Sequence, residues 1–420
     1  MIAMKLRIIV GAVLATCTTA SALAGTFALL PPQSGDMVPS LLLTRAAAPV
    51  GTATMPASNH VHVERNPLSV SWALSNDAPL QAQPQPFARD SREYWMDVAA
   101  SDLQKGIQLP LSAPGAIIRL SSSDHLQGTL QASSMHIQLG QQSLTVDHAA
   151  NQLADTASLQ AAGMAAPAAS MVIKLRPELG AGIATLQAPA ASGRYVVHVF
   201  EPESPYTVTA LADRDDLLLG NHVHVHVAMH DADQAVPLVA AGGFLRAPDG
   251  STTLLDFQRQ TDGSFSVDAQ PKAISSTPGL WEVHSFTVGT DANGQEVRRD
   301  TTTVFAAAVP DARLGGAGKI TRAVDQGIDI SLGVLAQNPS RYAVSAVLYG
   351  RGAKGVMVPA AYAQSAAWLP AGNGQLVLHY DPANLRGIGA PYELHDLRLQ
   401  DQAAIGLLER RTLAIRFIAP

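Results

Sequence analysis

The sequence is almost free of cysteine and has no long apolar segment. Its single cysteine among 420 residues is Cys17, which falls within an N-terminal leader described below. Without Cys17 the chain can form no disulfide and no thiol-based site, so packing alone must stabilise it. No segment after the leader approaches the roughly 20 apolar residues that cross a bilayer. We therefore expect no transmembrane segment.

Charged and aromatic residues are also scarce. Charged residues make up 15% of the chain and aromatic residues 5%, whereas globular proteins commonly contain about 25% charged residues. The net charge is −6 with histidine neutral, which argues against nucleic acid as a partner. Apolar residues nevertheless reach 47%, and small residues are abundant. This balance favours β-sandwiches over long solvated helices.

The signatures of several enzyme classes are missing. The chain contains no GxSxG elbow, HExxH, P-loop or CxxC, the motifs that supply a nucleophile, a zinc site, a phosphate cradle or a redox pair. We therefore assign no catalytic residue and expect no cofactor apart from the divalent metal considered below. A hydrolase with its site in the N-terminal domain stays open, because Ser, His and Asp occur there without a recognisable order.

The first 24 residues have the pattern of a secretory signal peptide. Lys5 and Arg7 precede a short apolar run over residues 8–15, and a small-residue stretch ends at Ala24. We expect cleavage after Ala24 and a mature protein that is secreted or periplasmic. The alternative is a lipid-modified Cys17, for which the preceding threonine is a poor neighbour.

Beyond the leader we divide the chain into four segments. A Pro/Ala-rich lead covers residues 25–59, and an N-terminal, mostly β domain with one short helix at residues 149–162 covers residues 60–203. Two immunoglobulin-like domains follow, over residues 204–312 and 313–420. The predicted fold class is mostly β, with tandem antiparallel β-sandwich (immunoglobulin-like) domains.

The middle segment has the clearest sandwich pattern. After residue 205, seven short runs alternate polar and apolar residues, and Asp-Gly or Asn-Gly turns lie in several of the breaks. Gly250, Gly263 and Gly294 belong to three of these turns. Seven short strands in about 100 residues is the number expected of an immunoglobulin-like domain.

A weak repeat links the last two domains. Residues 281–284 read Trp-Glu-Val-His and residues 392–395 read Tyr-Glu-Leu-His, each followed by an arginine pair. A fainter version at residues 194–198 closes the N-terminal domain. In a strand, the aromatic and aliphatic residues of each segment point to one face, and Glu and His point to the other. We interpret the aromatic and aliphatic residues as core residues. We interpret Glu and His as cross-strand ion-pairing groups rather than an acid/base pair.

Four segments resemble a known family. They are Ser-Arg-Glu-Tyr-Trp at residues 91–95, Ala-Pro-Gly-Ala-Ile-Ile-Arg-Leu at 113–120, Ala-Val-Ser-Ala-Val-Leu-Tyr-Gly at 343–350 and Ala-Pro-Tyr-Glu-Leu at 390–394. Together they resemble an uncharacterised family of secreted gammaproteobacterial proteins, named as a domain of unknown function, with an N-terminal β domain and two immunoglobulin-like domains. The resemblance implies export and this architecture, but no catalytic residues.

The densest group of candidate metal ligands begins at residue 222. Alternate histidines of a strand share one face, with valines on the other. The first and third histidines are about 13 Å apart along a strand, whereas zinc binds nitrogen at roughly 2.0–2.1 Å, so a site also needs a ligand from elsewhere. The candidate ligands are His222, His224, His226, His230 and Asp231. The alternative is an ordinary solvated strand face.

Three functions therefore stay open. The leading hypothesis is a non-enzymatic exported protein whose sandwich domains bind another protein or a glycan, in the envelope or outside the cell. The second is an exported protein that binds zinc or another divalent metal at residues 222–226. The third is the hydrolase described above.

If the histidine strand binds metal, calorimetric titration of Zn²⁺ will show tighter binding to the wild-type protein than to a His222→Ala/His224→Ala variant. Neutral imidazole is the binding form, so the affinity will weaken as the pH falls through about 6.5. Equal affinities would leave these residues as a solvated strand face.

Overall fold

The structure, a computed structural model, describes residues 25–45, 64–80, 87–123, 130–272, 274–275 and 277–418. The expected signal peptide and Cys17 lie outside these residues, so cleavage after Ala24 stays a prediction. The described chain is mostly β, with three short α-helices. Within these ranges, no helix has the length and apolar character needed to cross a membrane.

Up to residue 200, the described chain contains the β-sandwich of the N-terminal domain and three short strands that join sheets of the other domains. The elements of this part are β1 (Gly25–Ala28), β2 (Leu68–Ala73), β3 (Ala88–Ser91), β4 (Glu93–Ala99), α1 (Ala100–Lys105), β5 (Ile107–Leu111), β6 (Ile117–Ser122), β7 (His136–Leu139), β8 (Gln142–Thr145), α2 (Val146–Ala149), β9 (Ala150–Asp155), α3 (Thr156–Ala161), β10 (Met171–Leu175), β11 (Gly182–Gln187) and β12 (Arg194–Phe200). Sheets of order β4-β12-β6-β10-β9 and β5-β11-β7-β8 enclose one apolar core. These two sheets form the N-terminal domain.

Part of the expected helix at residues 149–162 is a strand. Residues 150–155 pair with β10 as β9, and the helix α3 starts only at Thr156. Asp155 caps α3, because its carboxylate accepts a hydrogen bond from the backbone N–H of Ser158 at 2.8 Å. The small and apolar residues of this segment suit either structure, and pairing with β10 selects the strand. Helices α1 and α2 are too short to produce a periodic sequence pattern.

The middle domain is a second sandwich. Its further strands are β13 (Tyr206–Ala212), β14 (Asp216–Leu218), β15 (Val223–Asp231), β16 (Gln234–Val236), β17 (Leu238–Arg246), β18 (Thr252–Leu255), β19 (Gln258–Arg259), β20 (Phe265–Ala269), β21 (Trp281–Thr290) and β22 (Glu296–Ala308). One sheet has the order β19-β20-β15-β13-β3, with β16 pairing β15, and the other has the order β14-β22-β21-β17-β18. Gly250, Gly263 and Gly294 have positive φ angles of 86°, 85° and 80°, which confirms the three predicted turns.

The C-terminal domain is a third sandwich. Its strands are β23 (Ala312–Arg322), β24 (Ile328–Ala336), β25 (Ser340–Arg351), β26 (Met357–Leu369), β27 (Gly372–Tyr380), β28 (Gly389–Asp401) and β29 (Gly406–Phe417). The two sheets have the orders β1-β23-β24-β27 and β2-β26-β25-β28-β29. Each sheet therefore takes one edge strand from the beginning of the chain.

The positions of β1 and β2 in these sheets differ from the domain boundaries predicted from the sequence. Residues 25–59 were expected to be a lead, yet β1 pairs with β23, and Arg45 places Nη2 within 2.8 Å of Asp311 and 2.5 Å of Asp401. β2 falls within the expected N-terminal domain, but it pairs with β26. β1 has only four residues, too few for strand alternation to be recognised in the sequence. Its partner β23 lies far along the chain.

The repeat at residues 281–284 and 392–395 has the predicted alternation. Trp281 is buried, with Glu282 and His284 on the opposite strand face. In the C-terminal domain, Tyr392 is only half-buried and stacks on Phe417, with ring centroids 5.3 Å apart. The two aromatic residues are thus core residues to different degrees.

A buried ion pair joins the N-terminal and middle domains. Glu201 follows β12 and Arg299 lies on β22, and both side chains are fully buried with Nη1 and Oε2 2.8 Å apart. Glu201 also accepts hydrogen bonds from the backbone N–H groups of Ser112 at 2.6 Å and Ala113 at 3.0 Å. The carboxylate is therefore bonded to both domains.

The guanidinium of Arg299 is bonded just as fully. Its Nε donates to the carbonyl oxygen of Tyr206 at 3.0 Å, and its Nη2 donates to the hydroxyls of Ser204 at 2.6 Å and Ser112 at 2.8 Å. Burial lowers the pKa of Arg299, and the charge of Glu201 opposes that effect. A buried ion pair offsets its desolvation only with such complete hydrogen bonding.

We expect Arg299→Met to lower the free energy of unfolding by about 3–5 kcal/mol, because it leaves the carboxylate of Glu201 buried and unpaired. Arg298→Met is the matched control, since its partly exposed ion pair with Glu296 should contribute at most about 1 kcal/mol. Urea unfolding followed by tryptophan fluorescence measures both. A Glu201→Gln/Arg299→Met double variant should recover part of the stability lost in Arg299→Met. Equal losses in Arg299→Met and Arg298→Met would contradict the assignment.

Candidate functional site

Each of the three domains contains a glutamate bonded to a histidine that contacts an aromatic ring. We call this arrangement a Glu-His-aromatic cluster. In the N-terminal domain, Trp95 and His198 are direct cross-strand partners, and their rings stack with centroids 3.8 Å apart. The Nε2 atom of His198 lies 2.9 Å from Glu93. This hydrogen bond lowers the pKa of Glu93 against the opposing effect of burial.

The cluster of the middle domain combines the same three groups, but its glutamate and histidine share one strand and its ring lies on the neighbouring strand. Phe244 and His284 are cross-strand partners with ring centroids 4.7 Å apart. His284 Nε2 lies 2.7 Å from Glu282, and Arg246 lies 3.3 Å from the same carboxylate. The hydrogen bond with His284 is the main reason that the pKa of Glu282 is lowered.

The third cluster lies in the C-terminal domain. His395 Nε2 is 2.8 Å from Glu393, and the His395 ring lies 4.2 Å from the ring of Tyr349. Burial tends to raise the pKa of Glu393, but hydrogen bonds from His395 and Arg416 lower it overall. Arg416 is its direct cross-strand partner.

The predicted cross-strand ion pairing of these glutamates is therefore confirmed, but with other arginines than those the repeat indicates. Arg299, from the first arginine pair, binds Glu201 instead. Arg411, from the second pair, binds the buried Glu409 at 2.6 Å. Both arginines point into the protein, whereas the clusters lie on the outer faces of their sheets.

The first two clusters meet at the boundary between their domains. A cavity of about 340 Å³ there is lined by residues of both domains, and a smaller one of about 50 Å³ adjoins it. Trp95 and Phe286 line both cavities, although they remain 46% and 40% exposed. We call this region the interdomain cleft. Its lining includes Arg89, Glu93, Trp95, Gly242, His284, Phe286, Arg298 and Asp300.

Asp300 lines both cavities of the cleft. It is the direct cross-strand partner of Phe286, and its Oδ2 accepts a hydrogen bond from the backbone N–H of Trp95 at 2.7 Å. Asp300 is 8% exposed, and burial raises its pKa to about 7, partly offset by the hydrogen bond from Trp95. Near neutral pH this carboxyl can therefore either donate or accept a hydrogen bond.

The cleft can bind a ligand that is apolar on its faces and polar at its edges. Trp95 and Phe286 present flat apolar rings, while Asp300, Glu93 and Arg298 supply hydrogen-bonding groups of both polarities. Room for the ligand comes from small residues on β17. Gly242 has no atom within 4 Å of the position where a Cβ would stand, so the cavity floor is open beside Phe286.

The candidate metal ligands lie on the other sheet of the middle domain. Val223, Val225 and Val227 are fully buried, which confirms the alternation of this strand. His222 is exposed just before β15, and His224 Nδ1 lies 3.0 Å from Asp268 on the neighbouring strand.

The remaining candidate ligands extend along β15. His226 lies opposite Ser266, whereas His230 and Asp231 lie opposite Thr207 and Tyr206. Across the part of the chain that the structure describes, no three His, Cys, Asp or Glu residues come together as a metal site. Metal binding at these histidines stays a prediction.

Sequence patterns alone do not mark Trp95, Phe286 or Asp300 as site residues. Of the residues in the repeat, His284 and Arg298 line the cleft. Strand alternation is the one signal that indicates an outward position for Trp95. Its neighbour Tyr94 is 1% exposed, and adjacent residues of a strand point to opposite faces. Which outward residues face each other depends on how the domains pack.

Fold and cleft together define a protein with three β-sandwich domains and a cleft between the first two. The sequence matches the N-terminal domain of a domain of unknown function (DUF4785) over residues 59–201 and its C-terminal domain over residues 311–418. Together these matches cover more than half of the chain, which belongs to the DUF4785 family.

A solved structure shows the same fold. A DUF4785 family protein from Legionella pneumophila is 20% identical with a TM-score of 0.69, and the match covers 92% of this chain and 98% of that one. Native alpha-2-macroglobulin of E. coli matches at 11% identity with a TM-score of 0.22, over 83% of this chain and 23% of that one; this low score carries no argument. No curated protein matches significantly.

We expect the wild-type free energy of unfolding, measured relative to an Asp300→Asn variant, to fall as the pH rises from about 4 to 7. Burial raises the folded-state pKa of Asp300 from its ordinary 3.8 to about 7, so the folded protein binds the extra proton within this window. The slope is at most about 1.4 kcal/mol per pH unit. Asparagine keeps an acceptor for the N–H of Trp95 but does not titrate. Parallel stability curves for the two proteins would contradict the assignment.

Proposed function

We propose that the protein is an exported, non-enzymatic saccharide-binding protein whose interdomain cleft holds a short stretch of a glycan. The observation that carries this proposal is the pair of half-exposed rings, Trp95 and Phe286, which line the same cavities as the buried carboxyl of Asp300. The signal-peptide pattern of residues 1–24 supports export. The paired antiparallel sheets support immunoglobulin-like domains as the scaffold.

The exposed rings match the chemistry of a sugar. A pyranose presents C–H groups on its faces, and these pack against aromatic rings as other apolar groups do. Trp95 is held for such a contact, because one of its faces already stacks on His198 at 3.8 Å. A ring fixed on one side loses little conformational entropy when a ligand covers the other.

The polar groups of the cleft match the edge of a sugar. Hydroxyl groups both donate and accept, and they require partners of both kinds at short range. Glu93 accepts, Arg298 donates, and Asp300 can do either near neutral pH because its pKa is raised to about 7. A cleft that offered only hydrogen-bond donors, or only acceptors, would suit an ion better than a hydroxyl group.

The size of the cleft favours a saccharide over a folded protein partner. Its main cavity of about 340 Å³ falls within the range of roughly 300–1,000 Å³ that is typical of small-ligand pockets. A stable protein partner usually covers about 800 Å² on each side with an apolar centre. The lining of this cleft instead includes the charged groups of Arg298 and Asp300.

A second candidate function is hydrolysis of the bound saccharide. The pKa of Asp300 is raised by burial, whereas that of Glu93 is lowered by its hydrogen bond with His198. Carboxyls whose pKa values are driven apart are the pattern of an acid/base pair. Chromatography of an oligosaccharide after incubation with the protein tests it, since shortened products absent with Asp300→Asn would make the protein a hydrolase.

We expect at least one of cellotetraose, chitotetraose, maltotetraose or a peptidoglycan fragment to bind the wild-type protein in calorimetric titration. Trp95→Ala should weaken that binding at least tenfold, which corresponds to about 1.4 kcal/mol, and Trp95→Phe should retain most of it. Ile405→Ala is the control, because this residue is 89% exposed in another domain.

Unchanged affinity in Trp95→Ala would remove the cleft as the site. Absence of binding by all four saccharides would remove the saccharide as the ligand. Binding of unstructured peptides instead, with the same dependence on Trp95, would reassign the cleft to a protein partner.

A further inference from the structure

Two adjoining cavities lie between the middle and C-terminal domains. One has a volume of about 410 Å³ and the other about 390 Å³. Asp216 of the middle domain and Ile405, Gly406 and Leu407 of the C-terminal domain line both of them. Because the cavities share these residues, we call them together the second cleft. Each volume falls within the range of roughly 300–1,000 Å³ that is typical of small-ligand pockets.

The larger cavity is lined mainly by apolar residues. The middle domain supplies Pro278, Leu280 and Trp281 near the start of β21, and the three alanines at residues 306–308 that end β22. Leu280 is 52% exposed, and Ile405 on the other side of the domain boundary is 89% exposed. The apolar lining is therefore accessible from solvent. Exposed apolar side chains that gather around one cavity are typical of a binding site.

The smaller cavity is polar. Its lining includes Arg398, Asp401 and two glutamines. The guanidinium of Arg398 pairs with Asp396, with Nη2 and Oδ2 2.9 Å apart, and Asp401 pairs with Arg45. These two charged groups are thus already bonded within the chain.

Asp216 is a charged group of both cavities that has no such partner. In the part of the chain that the structure describes, its carboxylate takes part in no hydrogen bond or ion pair. Burial and the charge of Asp215 raise the pKa of Asp216, and Arg410 and Arg398 oppose this effect without forming an ion pair with it. A partly buried carboxylate without a partner is costly, and a cation that donates a hydrogen bond would offset that cost.

The other charges at the second cleft also favour a cation. Arg45 is shared between two buried carboxylates, those of Asp311 and Asp401, so that group carries an excess of negative charge. The carboxylate of Asp215 adds to the charge of Asp216. A site whose fixed charges are mainly negative attracts positively charged ligands and disfavours anions.

We propose that the second cleft binds a small amphiphilic amine, with its apolar group in the larger cavity and its protonated amine on the carboxylate of Asp216. Asp216 lines both cavities, so an amine bonded to it can keep an apolar group against Leu280. A fatty acid would instead bring a second carboxylate beside Asp216. The described lining of the second cleft shares no residue with the interdomain cleft, and the proposal does not depend on the saccharide.

Calorimetric titration of the full chain with octylamine, octan-1-ol and octanoate tests this proposal, because these probes share one alkyl chain and differ in the charge of the head group. Asp216→Asn removes the charge but keeps the size of the side chain, and Leu280→Ala removes part of the apolar lining. Asp233→Asn is the matched control, since Asp233 is exposed and lines neither cavity. Thermal unfolding checks that each variant is folded. Asp216→Asn breaks no bond within the described chain, so its stability should not fall.

We expect octylamine to bind wild type and Asp233→Asn roughly tenfold or more tightly than octan-1-ol or octanoate, because a charged hydrogen bond is added. Asp216→Asn should lose this preference but still bind octan-1-ol, and Leu280→Ala should bind all three probes more weakly.

Three results would overturn the proposal: octylamine binding that Asp216→Asn leaves unchanged, tighter binding of octanoate than of octylamine, or no binding of any probe. Octylamine binding should also be unchanged in Trp95→Ala. A loss of binding there would place the amine in the interdomain cleft and would likewise overturn the second cleft as its site.

Discussion

The buried ion pair between Glu201 and Arg299 is the contact on which the relative position of the first two domains depends. Both side chains are fully buried, and their hydrogen bonds reach backbone and hydroxyl groups on each side of the boundary. Asp300, the next residue on β22, bonds the backbone of Trp95 from the opposite face of the strand. Arg299 and Asp300 thus link the two domains from opposite faces of β22. Arg299 does so inside the protein, and Asp300 does so in the cleft.

The cleft itself is costly to the fold. A carboxyl that is removed from water with a single hydrogen bond to a backbone N–H is destabilised in its ionised form, which is why the pKa of Asp300 is raised to about 7. Replacing such a group by an apolar one would commonly stabilise a protein. Perturbed groups of this kind in a cleft are candidates for function, and here the group lines the same cavities as two exposed rings.

The same three groups, a glutamate, a histidine and an aromatic ring, come together in each of the three domains. Each cluster relies on strand geometry, since residues two apart share a face and neighbours across the strands, direct or diagonal, bring the ring against the imidazole. Two clusters meet in the interdomain cleft because their domains pack together, whereas the third lies on the outer face of a sheet in the C-terminal domain.

The sequence by itself determined the features that depend on near neighbours. Strand alternation at residues 281–284, the three glycine turns and the valine face of residues 223–227 all follow from local geometry. Only the tertiary structure decided the pairing of β1 and β2 with C-terminal strands, and the meeting of Trp95 with Asp300, 205 positions apart. Alternation shows which side of a strand a residue occupies. Which residues pack against that side depends on contacts between segments that are distant in the sequence. Such contacts produce no periodic pattern in the sequence.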